Sequence, residues 1–325
     1  MMEKHKKHIK VAFMDFWTED YKSLPLYKVL EELYDVELCN ENYDYAIFSV
    51  FGNRHLDIPS SCVSIFYTGE NFCPDFNLCD YAIGFEWMEY GDRYLRYPNY
   101  YFESDVASIE KKKIDISKLR DKQFCSFVVS NGTTAHPVRS RMFEQLSQYK
   151  RVNSGGRYKN NVGGPVEDKR AFEAQHKFCL TFENSEHSGY TTEKLVDAFA
   201  AGGVPIYWGD PDVMKVFNPK AFVWVRDAES IDEAVERIKQ LDNDDKEYCA
   251  MLQEPVFVNE RYSAESMRKE LVTFLRNIFD QPKEQAYRYS RNSRPKVYRE
   301  ELISMRDALP YKSMGYHFRK WLHLK

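Results

Sequence analysis

Over the first third of the chain, apolar side chains come in short runs broken by Asn, Gly, Pro or Asp. The runs "IKVAFMDFW", "VELC", "YDYAIFSV" and "CVSIFYTGE" are rich in β-branched and aromatic residues and predict strands. "YKVLEELY" repeats its apolar positions at helical spacing and predicts the end of a helix. A charged passage, "FESDVASIEKKKIDISKLRD", suits a crossing between domains, and after it the pattern restarts. "QFCSFVVSN" predicts a strand, "VRSRMFEQLSQY" and "EDKRAFEAQHK" helices, "FCLTFEN" a strand, "TTEKLVDAFAAG" a helix and "VPIYWG" a strand. Helices over "IDEAVERIKQL" and "AESMRKELVTFLRNIF" close the second half. Strand-then-helix order, repeated, calls for a parallel sheet in each half, which makes the fold class α/β. The expected domains are residues 1–118 and 119–280, followed by a tail over 281–325.

A length of 325 residues agrees with about two domains. With 43% hydrophobic and 30% charged residues the chain can bury a core, which excludes a disordered class. The 23 Tyr and 22 Phe exceed common usage, and core packing accounts for them more readily than sugar-stacking surfaces do. The start "MMEKHKKHIKVAFMDFW" is basic, but its apolar run stops at Thr18, so neither a secretion signal nor an anchor is expected. No run approaches the roughly 18 apolar residues of a membrane span, and the expected place is the cytoplasm, including the inner face of its membrane. Seven scattered cysteines without a C-x-x-C pair point to reduced thiols rather than disulfides or zinc.

Charge is unevenly spread. From Gln281 onward eleven Lys and Arg stand against four Asp and Glu, so this tail carries +7 and the remainder −11 of the net −4. Tyr287, Tyr289, Tyr298, Tyr311, Tyr316, Phe318 and Trp321 are interleaved with those cations. Such a tail fits an anionic membrane surface or a packing role against a domain, and composition leaves both open. The acidic body gives no support to nucleic acid as a partner.

The chemistry concentrates in "FENSEHSGYTTEKLVDAFAAGGVPIYWGD", where a buried strand passes through a polar loop into an amphipathic helix. Ligands of parallel α/β sheets sit beyond the carboxyl ends of the strands. A helix's first turn offers unpaired N–H groups there, suited to a diphosphate, and Lys194 adds a full charge. Glu193 repels phosphate but matches a sugar diol, which presents two hydroxyl donors. The chain has neither G-x-G-x-x-G nor a P-loop. "DND" at Asp242–Asp244 reads as a solvated turn rather than a metal motif.

These residues resemble the signature of family 10 glycosyltransferases, the α-1,3-fucosyltransferases that make Lewis-type glycans. The likeness extends through "FYTGENFCPDFNLCDYAIGFEW", "DRYLRYP" and "FVVSN". It implies a GT-B architecture, two Rossmann-like parallel-sheet domains facing across a cleft. It also implies transfer of L-fucose from GDP-fucose to N-acetylglucosamine of an N-acetyllactosamine-type (LacNAc) acceptor, with inversion. By the same resemblance Glu70 is the general base, and Arg139 and Lys194 hold the diphosphate and stabilise the leaving group. Glu193 takes the ribose hydroxyls; Asn184 and Tyr190 are further donor contacts; Val128, Ser130 and Asn131 edge the nucleotide pocket, joined by Val166. No metal or other cofactor is required, with stimulation by a divalent cation left open.

Two departures bear on the transfer. Carboxyl-terminal heptads of some bacterial relatives are absent, leaving oligomeric state open, and the loop reads "SEHSGY", placing His187 and Ser188 where they can alter specificity. Expected acceptors are a bacterial surface glycan such as a lipopolysaccharide O-antigen or its lipid-linked precursor. The rival expectations are a catalytically silent glycan- or membrane-binding protein, and a GT-B transferase using another nucleotide sugar.

Overall fold

The computed structural model describes residues 5–110, 121–130, 132 and 136–308. In chain order β1 (His8–Met14), α1 (Pro25–Leu33), β2 (Asp35–Leu38), β3 (Tyr45–Phe48), β4 (Val63–Tyr67), β5 (Tyr81–Gly84) and β6 (Tyr94–Arg96) come first. They are followed by α2 (Tyr100–Glu103), α3 (Val106–Glu110), β7 (Gln123–Phe127), α4 (Val138–Tyr149), β8 (Val152–Ser154), α5 (Lys169–Glu173) and β9 (His176–Phe182). Next are α6 (Glu193–Ala200), β10 (Val204–Trp208), β11 (Val223–Trp224), α7 (Ile231–Asn243) and α8 (Asp245–Gln253), and the described chain ends with α9 (Ala264–Phe279) and α10 (Ser293–Ala308).

Contacts group the described residues up to Tyr97 with those from Arg268 onward, and Pro98–Met267 form the second unit. This division by contact differs from the expected one, which cut the chain after 118 and after 280. At the first, α2 and α3 bury Tyr100, Val106 and Ile109 among Leu195, Phe199 and Phe217 of the second unit's core. At the second, Phe274 and Phe279 of α9 pack on Tyr81, Tyr34 and Tyr45 of the first unit, and the chain beyond is tied to that unit by charge.

That tie centres on Asp80, which is fully buried next to β5. Its carboxylate accepts from the Ser64 amide at 2.9 Å, the Arg288 amide at 2.7 Å and the Arg291 guanidinium at 2.7 Å. Arg288 Nη2 reaches Asp92 at 2.6 Å, Lys283 reaches Asp44 at 2.6 Å and Arg306 reaches Asp57 at 2.6 Å. Arg299 donates to the carbonyls of Leu56 and Ile58, and the Arg291 guanidinium lies over the rings of Tyr287 and Tyr289. Lys283, Arg288, Arg291, Arg299 and Arg306, with Tyr287 and Tyr298, thus pack against a domain, and an anionic membrane would find those five cations partnered. Tyr311, Tyr316, Phe318 and Trp321 lie outside the described residues. Among the described helices none is long and apolar enough to cross a membrane.

The first sheet runs β2-β1-β3-β4-β5-β6 and the second β11-β10-β9-β7-β8, with every named strand pairing parallel. Strands β3, β4, β5 and β10 are buried at every position, as expected of sheets covered on both faces. In α6 the spacing of Leu195, Val196, Ala198 and Phe199 turns one face to the core, and burying a Leu or Phe contributes about 1.5–3 kcal/mol.

Two local expectations change. The helix expected over "EDKRAFEAQHK" stops at Glu173, because pairing of His176 with Gln123 starts β9 there. "DND" is not a solvated turn: the Asp242 side chain is buried and takes Lys150 and Lys177, each at 2.9 Å, while Asp244 caps α8. All seven cysteines are free thiols.

Candidate active site

In the second sheet the chain moves from β7 outward to β8 on one side and to β9 on the other, so the order reverses between β7 and β9. Loops leaving the carboxyl ends of two such strands diverge and leave a crevice, the usual ligand position in this topology. Val128 and the exposed Ser130 follow β7 directly, and Glu183 and Asn184 follow β9. Arg139 lies in the first turn of α4, and Glu193 and Lys194 open α6. The Val166 amide donates to the Gly155 carbonyl at 2.8 Å, just past the carboxyl end of β8. Asn131 lies outside the described residues. The described donor-site residues expected from sequence therefore gather at one end of one sheet.

Arg139 is almost wholly buried, at 1% exposure. Its Nη2 donates to the carbonyls of Phe182 at 2.8 Å and Glu183 at 2.7 Å, and to Asn184 Oδ1 at 3.0 Å. Desolvation lowers its pKa, against which the nearby Glu183 carboxylate acts, and a guanidinium, whose ordinary pKa is above about 12, stays charged in proteins.

Lys194 makes the second cationic point. Its Nζ donates to Glu183 Oε2 at 3.1 Å, to Thr192 Oγ1 at 3.0 Å and to Glu193 Oε1 at 3.4 Å. Burial alone would lower its pKa, but Glu183 and then Glu193 outweigh it and hold the ammonium above its ordinary range. In the same exchange Glu193, which burial would push up, is held below its ordinary value by Lys194 and Lys169.

Glu183 was not singled out in the sequence, and it joins the two cations. Its carbonyl takes Arg139, while its fully buried carboxylate takes Lys194 and both the amide, at 2.8 Å, and the hydroxyl of Thr192, the residue that caps α6. Burial raises its pKa against the pull of Lys194. The only sequence signal was an acidic residue closing an otherwise apolar strand. Gly209 makes room for it: at φ +148° a Cβ there would lie 2.4 Å from Glu183 Cγ, so no other residue fits.

The polar loop between β9 and α6 is folded by a second buried carboxylate, Asp210, also unforeseen. It accepts from the Gly189 amide at 2.8 Å, the Thr191 hydroxyl at 2.9 Å and the Asp212 amide at 2.8 Å. Tyr190 is buried within this loop and Ser188 donates to Asp212 at 2.6 Å, which gives that residue a structural partner. Such a set can hold an anion between two fixed cations and offer a carboxylate to a diol.

Glu70 belongs to the first unit, three residues beyond the end of β4 and at the carboxyl edge of its sheet. Its amide donates to Thr68 Oγ1 at 2.9 Å and its carbonyl accepts from Phe72 at 2.7 Å, so the turn that carries it is fixed on both sides.

Comparison with known proteins places these features in context. Residues 11–103 match the model of the alpha-(1,3)-fucosyltransferase FucT N-terminal domain, and residues 118–282 that of glycosyltransferase family 10 (fucosyltransferase), C-terminal. The alpha-(1,3)-fucosyltransferase FucT of Helicobacter pylori is 34% identical over 296 residues, 78% of this chain and 61% of that protein, so the chain spans about six tenths of that relative's length. The human 4-galactosyl-N-acetylglucosaminide 3-alpha-L-fucosyltransferase 9 is 33% identical over 135 residues, 40% of this chain and 36% of that one. A crystal structure of an alpha1,3-fucosyltransferase with GDP-fucose superposes with a TM-score of 0.72 at 33% identity, covering 86% of this chain and 93% of that one. The two parallel-sheet α/β units agree with the GT-B class expected from sequence. Since the family 10 model alone spans just over half of the residues and the FucT model accounts for most of the first unit, the chain belongs to glycosyltransferase family 10, the fucosyltransferases.

Proposed function

We propose that the protein is an inverting α-1,3-fucosyltransferase that moves L-fucose from GDP-β-L-fucose to N-acetylglucosamine of a LacNAc-type glycan. The observation that carries the donor assignment is the pairing of two fixed cations, Arg139 and Lys194, with the carboxylate Glu193 at the switch point of the second sheet. Diphosphate needs the first two, and a ribose diol suits the third. Family membership supports fucose as the sugar. The LacNAc acceptor is supported by the human relative, a 4-galactosyl-N-acetylglucosaminide 3-alpha-L-fucosyltransferase.

Inversion takes a single in-line displacement. Glu70 removes the proton of the acceptor 3-hydroxyl as that oxygen bonds to the anomeric carbon. The bond from that carbon to the β-phosphate oxygen breaks at the same time, and its electron pair leaves on GDP. Arg139 and Lys194 lie in the donor's unit to balance the charge that develops there. Asn184, Tyr190, Val128, Ser130, Asn131 and Val166 complete the donor contacts. With cations supplied by side chains, the reaction requires no metal, and turnover should persist after chelation with EDTA.

The test is a donor and acceptor panel: GDP-fucose, GDP-mannose and UDP-sugars, each with and without N-acetyllactosamine, assayed for released nucleotide and glycosylated product. Transfer from GDP-fucose alone, giving an α-1,3-linked product, is expected. Transfer from another donor would replace the substrate assignment, and nucleotide binding without transfer would make the protein a silent binder.

A further inference from the structure

Glu193 and Asp197 stand one helical turn apart on α6, so two carboxylates share a face and repel each other. Two lysines answer them from different elements. Lys194 divides its ammonium between Glu183 at 3.1 Å and Glu193 at 3.4 Å. Lys169, at the start of α5, places Nζ 3.0 Å from Asp197 Oδ2 and 3.9 Å from Glu173 Oε1. Asp197 is held on its other oxygen by the Ser104 hydroxyl at 2.9 Å. The lysine therefore stands on an anchored partner, and its charge also favours the ionised form of Glu193.

In the proposed donor complex Lys194 has two claims on it. A diphosphate drawn to Lys194 weakens the hold of that lysine on Glu193, and the phosphate charge repels the carboxylate as well. A carboxylate pushed towards protonation loses acceptor capacity just when the ribose hydroxyls arrive. Lys169, tied to α5 and Asp197, is not part of that exchange.

We propose that Lys169 is a positioning residue of the donor site. Standing on Asp197 and Glu173, it keeps Glu193 ionised and in place for the ribose diol while the diphosphate engages Lys194. This rests on the donor-site reading given above. A lysine that only stitched α5 to α6 would affect stability and leave nucleotide preference untouched.

The experiment is calorimetric titration of the full chain with GDP and with 2′,3′-dideoxy-GDP. Wild type should prefer GDP by about tenfold or more, the scale of one charge-assisted hydrogen bond. Lys169→Met should reduce that preference to within about threefold while changing dideoxy-GDP affinity little, Lys169→Arg should restore it, and the change should vanish in a Glu193→Gln background. Lys169→Gln, which keeps a donor for Asp197 without the charge, gives the same comparison should the Met variant fold poorly. An undiminished preference in Lys169→Met or Lys169→Gln, or an equal loss for both nucleotides, overturns the inference and spares the donor site. A wild type that binds both nucleotides alike, or neither, removes Glu193 from the ribose and the inference with it.

Discussion

Glu173 should make the second unit less stable as pH rises, and Glu173→Gln should abolish that trend. The side chain closes α5 at 2% exposure, its Oε2 has no hydrogen-bond partner among the described residues, and the ammonium of Lys169 stands 3.9 Å away. Burial pushes the carboxyl up from 4.5 to about 7, with Lys169 pulling against it and Asp197 and Glu193 reinforcing it. The unfolded chain releases this proton near the lower value and the folded chain near the higher one. Folding therefore gains from the retained proton fully below the unfolded pKa, and loses that gain as pH climbs through the folded one. At about 1.4 kcal/mol per pKa unit the whole effect is about 3 kcal/mol, and roughly two thirds or more of it falls between about pH 5 and pH 8. Equilibrium urea unfolding of wild type and Glu173→Gln at those two pH values, followed by circular dichroism, should show the variant gaining roughly 2 kcal/mol on wild type at the higher pH. Other titrating groups are common to both proteins and cancel in the difference. Parallel pH profiles, or wild type gaining on the variant, would mean that the carboxyl is hydrated or paired, and the account of this buried cluster would be wrong.

Glu70→Gln should lower turnover by about 10²–10⁴ with GDP affinity unchanged; steady-state rates beside calorimetry decide it, and undiminished turnover removes Glu70 as the base. Lys194→Ala should weaken GDP binding by about 1.5–3 kcal/mol, one charge-assisted contact, and a titration without loss would contradict its phosphate role. Arg291→Ala leaves Asp80 buried without its guanidinium partner and should destabilise the first unit by about 3–5 kcal/mol. An unshifted denaturation midpoint in that variant would show the residues after Arg268 to be loosely attached.

How far the sequence could be read depended on the range over which each feature is determined. Helices α4 and α9 coincide with the stretches expected because amphipathic spacing and the residues that bound it are local. Strands β6 and β11 are three and two residues long, too short to carry any period, and only pairing with β5 and β10 makes them strands. Within the site, the place of Glu193 and Lys194 at a helix start was legible from spacing, while Arg139 entered only through the family resemblance. Glu183 was not legible, because its carboxylate depends on a glycine at position 209 that leaves space behind it. The tail marks the same limit more sharply. A surplus of +7 with interleaved aromatics suits lipid headgroups and aspartates equally, and a sum of charges says nothing about where the opposite charges lie. Asp44, Asp57, Asp80 and Asp92 are some two hundred residues away along the chain from the cations they meet. Only the folded chain brings them into reach, so what such cations meet follows from partners in space and not from the composition itself.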